Sequence, residues 1–182
     1  MYKAVQINSS NAFDDEELKK LYESSFPEDE RLPYEEFVKL LDEMNIDFQS
    51  FYDGEQLVGM WVVSRLPRYN WGVFFAVTEK LRGKGIGQKL LTRMIEQFGK
   101  EEKPFIGDIE SPLQADAPNL EIRKRRHAFY KRNGFKDSGL YYDYKGVSYT
   151  IITTSDRPFT QKDYDEIISF IRPSLKKINV NI

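Results

Sequence analysis

Cysteine is absent from the 182 residues, and histidine occurs once, at His127. The first absence excludes disulfides, thiolate metal sites and a cysteine nucleophile, and the second excludes a multi-histidine metal centre. No apolar run approaches the roughly 20 residues that a membrane helix needs, and the opening MYKAVQINSS lacks the apolar core of a signal peptide. There are no internal repeats, low-complexity tracts or linkers. These absences fit a cytoplasmic enzyme or binding protein of one domain, or one domain with a small appendage.

What is present is average in bulk and uneven in detail. Hydrophobic residues make up 40% and charged residues 31%, the balance of a globular chain that buries roughly 70% of its unfolded surface. The formal net charge of −2 conceals an asymmetry: residues 1–79 carry −9, residues 80–136 carry +7, and residues 137–182 balance. A basic segment suits a polyanionic ligand. Nucleic acid is the other polyanion to consider, but the sequence pI is about 5.6 and no nucleic-acid motif occurs. The run Arg123 to Arg126 reads equally well as a solvated helix face.

The basic segment contains the most informative stretch, residues 71–91, WGVFFAVTEKLRGKGIGQKLL. An apolar strand-like run leads directly into Arg82-Gly83-Lys84-Gly85-Ile86-Gly87, and an amphipathic helix follows. Alternating glycines strip side chains from a turn, so its N–H groups can close on an anion. A helix starting there adds unpaired amides and the positive end of its dipole, which suits a pyrophosphate. Spacing excludes a Walker loop, and it excludes the dinucleotide fingerprint G-x-G-x-x-G because the glycines are two apart. A Rossmann domain would also open with such a unit, whereas here several elements precede it.

Pattern and punctuation predict strands over 2–7, 48–53, 56–65, 71–78, 105–110, 135–144 and 147–154. Hairpin turns are expected at Asp53-Gly54 and Lys145-Gly146. Helices are expected over 14–25, from Pro33 to about Met44, from Ile86 to about Phe98, from an Asn119 cap to Asn133, and from a Thr160 cap to about Ile171, where Pro173 ends the helix. The resulting order, β-α-α-β-β-β-α-β-α-β-β-α, implies a mixed α/β domain.

Two motifs within that order resemble the GNAT superfamily of N-acetyltransferases. One is Val77 through Gly87, similar to the family's acetyl-CoA signature at Arg82, Gly85 and Gly87. The other is Ala128-Phe129-Tyr130-Lys131-Arg132-Asn133-Gly134-Phe135, similar to the family's tyrosine-bearing helix followed by Gly-Phe. The resemblance implies a GNAT-like acyl-CoA N-acyltransferase fold, α/β with a mixed, mostly antiparallel sheet. It would span residues 1–154, with residues 155–182 as a C-terminal helical appendage and tail. It implies acetyl-CoA as co-substrate and no metal. The amides of Arg82, Gly83, Lys84, Gly85, Ile86 and Gly87, with Gln88 at the helix start, would hold the pyrophosphate. The backbone of Phe75, Ala76 and Val77 would pair with the pantetheine arm, and Phe129 and Arg123 would lie on the coenzyme. Tyr130 would protonate the departing thiolate.

Two positions depart from the family pattern, Arg123 where asparagine is common and Arg126 where alanine is common; either arginine reaches a phosphate or faces water. The acceptor must lose a proton before it attacks, because an alkyl ammonium has no free lone pair. Alternation puts Ile106, Asp108 and Glu110 on one strand face, and Glu110, at the strand end, is the leading candidate base. His127, on a strongly charged helix, is expected to face solvent. In the family the loop between the first two helices walls the acceptor pocket. Here it runs from Phe26 to Tyr34, where Arg31 can clasp a carboxylate, Glu28 or Glu30 an ammonium, and Tyr34 the substrate. The same charges read as plain loop charges in water. The expected partner is a small-molecule or peptide amine, without nucleic acid or membrane, and a homodimer is compatible. A non-catalytic acyl-CoA-binding module, or a transferase using another acyl donor, is the alternative.

Overall fold

The computed structural model describes residues 2–28, 30–99 and 102–177. Asp29 of the first interhelical loop and residues 178–182 of the tail lie outside the described residues. Strand β1 (Lys3–Ile7) is followed by helices α1 (Glu16–Ser25) and α2 (Tyr34–Glu43), then strands β2 (Ile46–Asp53), β3 (Gln56–Arg65) and β4 (Asn70–Val77). A short 3-10 turn (Glu79–Leu81) leads to α3 (Ile86–Phe98), β5 (Phe105–Glu110), α4 (Leu120–Arg132), β6 (Lys136–Tyr144), β7 (Val147–Thr153) and α5 (Gln161–Lys177). The seven strands form one sheet in the order β1-β2-β3-β4-β5-β7-β6, antiparallel except where α3 carries the chain from β4 to a parallel β5. The expected architecture is the one observed, a mixed, mostly antiparallel sheet flanked by helices with a helix at the C-terminal end. No described helix is long and apolar enough to cross a membrane.

Local chemistry explains most boundaries. Asp15 caps α1 by accepting from the N–H groups of Glu17 and Leu18, so the helix starts two residues later than expected. Lys145 and Gly146 both take positive φ in a two-residue turn, which matches the twist of the β6–β7 hairpin. Gly134, at φ 93°, ends α4. Two expectations fail. Asn119 precedes α4, but its side chain makes no cap bond and turns instead to Glu110 and Arg123. Pro173 lies inside α5 rather than ending it. Ile167, Ile171 and Leu175 lie four apart and all pack in the cluster around Leu66, Ile106 and Ile151. That apolar stripe carries the helix past the hydrogen bond that proline cannot make.

The core divides by sheet face. One face packs α1 and α2 over Phe48, Met60 and Val62, with α5 further along over Ile106 and Ile151. The other packs α3, and the Phe129–Tyr130 end of α4, over Trp61, Val63, Phe105 and Ile152. Strand β3 is buried throughout its interior because both faces are covered.

Candidate active site

The glycine turn ends in a row of backbone donors that meet no acceptor among the described residues. The Arg82 N–H closes the 3-10 turn onto the Glu79 carbonyl at 3.1 Å, and α3 makes its first bond from the Lys89 N–H to the Gly85 carbonyl at 3.2 Å. Between them, the N–H groups of Gly83, Lys84, Gly85, Ile86, Gly87 and Gln88 meet no backbone carbonyl among the described residues. The row therefore runs from 83 to 88, and the Arg82 amide, expected to belong to it, is already engaged. Gly83 and Gly85 hold φ of 76° and 77°, where a side chain is strained, and the space above each is open. Gly87 is different. A Cβ there would rest 3.5 Å from Val77 and 3.7 Å from Phe129, which together wall the loop. The Ile86 side chain is buried in the core, so this residue offers the loop its amide alone. Arg82 and Lys84 are exposed and make no ion pair among the described residues.

Beside this loop the sheet splits. Strands β4 and β5 pair only through Asn70–Phe105, Trp71–Ile106 and Gly72–Gly107, then part. A bulge at Val73 begins the divergence and re-phases β4, so that Trp71 and Phe74 share the α1–α2 face despite their odd spacing. Phe75 and Val77 lie on the α3–α4 face. Their backbone groups face the opened edge. The Thr78 N–H donates to Val58 on β3, the Ala76 carbonyl points at Gly59, and alternation turns Phe75 and Val77 outward. Ala76, expected to pair with a ligand along this edge, instead pairs with β3. The outward Val77 carbonyl accepts from Arg82 Nε at 3.2 Å.

Tyr130 reaches the split from the α4 side. Its half-buried ring packs edge-on against Phe129 and Phe135. Its hydroxyl makes no hydrogen bond among the described residues. Burial pushes it up to about 12, Arg126 pulls it down, and the Asp108 charge raises it. Phe129 lies between Gly87 and the Arg132 guanidinium, which stands 5.1 Å over its ring.

Two residues assigned to chemistry hold structure instead. Arg123 is 3% exposed, and its guanidinium donates to Asn119, Gln114 and Glu110 at 2.6–2.8 Å. All three of its nitrogens are engaged inside the fold, and so buried a side chain does not present itself to a coenzyme phosphate. Glu110 Oε1 accepts from Asn119 and Arg123, and Oε2 from Arg126 at 2.8 Å. Burial favours its neutral form, but Asn119, Arg126 and Arg123 outweigh that and hold the carboxyl below the usual range. A carboxylate so stabilised is a poor base. His127, expected in solvent, is half-buried with Nε2 2.7 Å from Asp137.

On the opposite face, the loop between α1 and α2 spans the split. Phe26 packs on Phe74 of β4 at 4.5 Å between ring centroids, and Glu30 accepts a hydrogen bond from Tyr149 of β7. Arg31 donates to the Phe26 carbonyl and lies 5.9 Å over the Tyr22 ring. Tyr34, expected on the substrate, is fully buried and donates to the Ala12 carbonyl at 2.8 Å; it belongs to the core. Asp108 is the first β5 residue past the split and accepts from Trp71 Nε1 at 2.8 Å and from the Tyr142 hydroxyl. Tyr142 stacks on Tyr149. Strand alternation had placed Asp108 beside Glu110, but no local signal in the sequence pointed to Phe74, Tyr142 or Tyr149.

Comparison with known proteins agrees with this geometry. The acetyltransferase (GNAT) domain model matches residues 47–137. No curated protein matches the chain. Among solved structures, a protein of Bacteroides thetaiotaomicron described as a GNAT-family acetyltransferase is 21% identical with a TM-score of 0.73, covering 98% of this chain and 99% of that one. The ribosomal-protein-S18-alanine N-acetyltransferase of Escherichia coli is 12% identical with a TM-score of 0.60, over 84% of this chain and 92% of its own. The PaiA N-acetyltransferase of Thermoplasma acidophilum, solved with coenzyme A, is 16% identical with a TM-score of 0.56, over 84% and 98%. At these identities the structures speak to fold. With the domain model matching half of the sequence, this chain belongs to the GNAT family of acetyltransferases.

Proposed function

We propose that this protein transfers the acetyl group of acetyl-CoA to a primary amine of a small molecule or peptide by direct attack. The observation that carries the reading is the row of six amides at the head of α3 that meet no acceptor among the described residues, opening onto the β4 edge that parts from β5. Those amides and the helix dipole hold the coenzyme's diphosphate, and Arg82 and Lys84 add formal charge. The pantetheine arm runs along Phe75 and Val77 as a further strand would, displacing Arg82 from the Val77 carbonyl. An outward amide on that edge polarises the thioester carbonyl and steadies the tetrahedral oxyanion.

Tyr130 then donates to the sulfur as the C–S bond breaks. At about 12 the phenol is a weaker acid than an ordinary thiol near 8.5, so full proton transfer would be uphill by roughly 5 kcal/mol in water. The dry surroundings that raise Tyr130 also raise the thiol, which narrows the gap. The amine enters from the opposite face, beneath the loop bearing Glu30. Asp108, rather than Glu110, is the carboxylate positioned to draw off its proton, directly or through water. A cationic amine suits the acidic first 79 residues, and a cytoplasmic setting suits a chain without cysteine.

Isothermal titration with acetyl-CoA, followed by thiol release over a panel of an alkyl diamine, lysine and a short peptide with a free N-terminus, tests the proposal. Tyr130→Phe should lower kcat about 100-fold and leave the acetyl-CoA Kd within about twofold. Normal turnover with phenylalanine at 130, or no binding heat for acetyl-CoA in the unaltered protein, overturns it.

A further inference from the structure

Helix α4 carries Tyr130 yet lacks the apolar stripe that docks an ordinary helix on a sheet. Across its thirteen residues the one buried side chain is Arg123. Phe129 and Tyr130 are half-buried at its C-terminal end; nearer its start, what holds it are ion pairs and hydrogen bonds. A buried guanidinium left unpaired is costly, so the groups around Arg123 constrain it closely. Arg123 and Arg126 lie three apart, on one helical face, and meet the two oxygens of the same carboxylate, that of Glu110 at the end of β5. Gln114 extends the tie. Its Oε1 accepts from Arg123 and from the Ser148 N–H, and its Nε2 donates to the Gly146 carbonyl, which joins α4 to the β6–β7 turn.

We infer that Glu110, Arg123 and Arg126 are positioning residues that fix the rotation and register of α4, and so place the Tyr130 hydroxyl at the split edge of β5. The role given to Tyr130 rests on the acetyl transfer proposed above; the docking of α4 does not. Directional ion pairs suit this task better than apolar packing, which tolerates sliding, because each bond has a fixed length and angle. The two departures from the family pattern thereby acquire a joint purpose. Arg123 and Arg126 share one counter-charge, that of Glu110. Arg126 is also one turn from Tyr130, and its charge favours the phenolate. Displacing Arg126 would thus move both the position and the acidity of the hydroxyl.

The test is a double-mutant cycle of Glu110→Gln and Arg126→Gln, read by turnover and by amide hydrogen exchange over residues 120–132. Each single variant should lower kcat about tenfold at unchanged acetyl-CoA Kd, and the double variant should fall little further. Exchange in α4 should quicken in both, and the acidic limb of the kcat–pH profile should persist in E110Q. Loss of that limb in E110Q with normal turnover in R126Q would instead make Glu110 the proton acceptor. Wild-type kcat and wild-type exchange in both variants would also overturn the inference. If E110Q does not fold, R126Q decides alone, since Arg126 is the exposed partner. If the unaltered protein shows no turnover, the acetyl-transfer reading fails while exchange still reports on the docking of α4.

Discussion

Gly85→Ala puts the proposed diphosphate site to its sharpest test. Gly85 is the N-cap of α3 at φ 77° and ψ 0°, and a Cβ built there meets nothing within 4 Å. Crowding inside the fold therefore contributes nothing, and the cost is conformational, about 1–2 kcal/mol for an alanine held left-handed. That cost has two outlets. If the substituted alanine keeps the glycine's conformation, the loop survives and the melting temperature falls by about 2–8 °C for a chain of this size. If it escapes to ordinary φ, stability holds, the amides of residues 83–88 lose their alignment, and acetyl-CoA binding weakens about 5–30-fold. The two losses share one total, and a methyl group projecting over the loop adds to the second by crowding the phosphates. Gly87→Ala is the control, because its Cβ finds ordinary contact distances at Val77 and Phe129 and no strained φ. Differential scanning fluorimetry and titration calorimetry with acetyl-CoA measure both quantities for each variant. A G85A protein that keeps both its melting temperature and its affinity, or a G87A protein impaired as severely as G85A, refutes the reasoning.

Two further predictions concern the frame around the site. Gly59→Ala places a Cβ 2.6 Å from the Ala76 carbonyl oxygen and 2.8 Å from Leu90, and the backbone oxygen cannot yield without moving β4. Urea denaturation should show a loss of about 2–3 kcal/mol, and a change below about 0.5 kcal/mol would contradict the close strand approach. Asp163 accepts from Tyr69 and from the Thr160 hydroxyl and N–H. Burial opposes its charge, but these bonds and Arg68 prevail and lower its pKa to about 2. A depressed carboxyl stabilises the fold fully above its unfolded pKa near 3.8, and the contribution fades as pH falls through about 2. The stability gap between the natural protein and Asp163→Asn should therefore contain a pH-dependent part of about 2 kcal/mol at pH 6 that shrinks to roughly half by pH 3. A gap that stays constant with pH would show that Asp163 is not held ionised.

Features legible in the sequence were those whose cause is local. Left-handed turns need glycine whatever surrounds them, so Gly83, Gly85, Gly134 and the Lys145-Gly146 hairpin announced themselves. The strands read correctly because β2 and β3 alternate or run apolar between clear turns. Errors arose where a distant partner decided the outcome. Asn119 has the chemistry of a cap, yet Glu110 and Arg123 compete for its side chain and win. Pro173 has the chemistry of a stop, yet the stripe of Ile167, Ile171 and Leu175 finds a core to cover and the helix continues. Tyr34 sits in a charged loop by sequence and in the core by packing, because Tyr22 and Ala12 are waiting there.

The charge pattern shows the same limit in its most functional form. A surplus of +7 over residues 80–136 reads as a polyanion footprint, but the fold divides it. Arg123 and Arg126, however, share the single counter-charge of Glu110, Lys124 pairs with Glu121, and Lys131 stands 3.6 Å from Asp137. At the head of α3, Arg82 and Lys84 make no such pair among the described residues. The basic segment thus splits into two groups that sequence counting merges: one pairs with carboxylates around α4, and Arg82 and Lys84 stand beside the amides of residues 83–88. Charge that is paired inside the fold attracts a ligand less than charge that is not, so the proposed diphosphate site belongs at the loop rather than on the arginine run of α4.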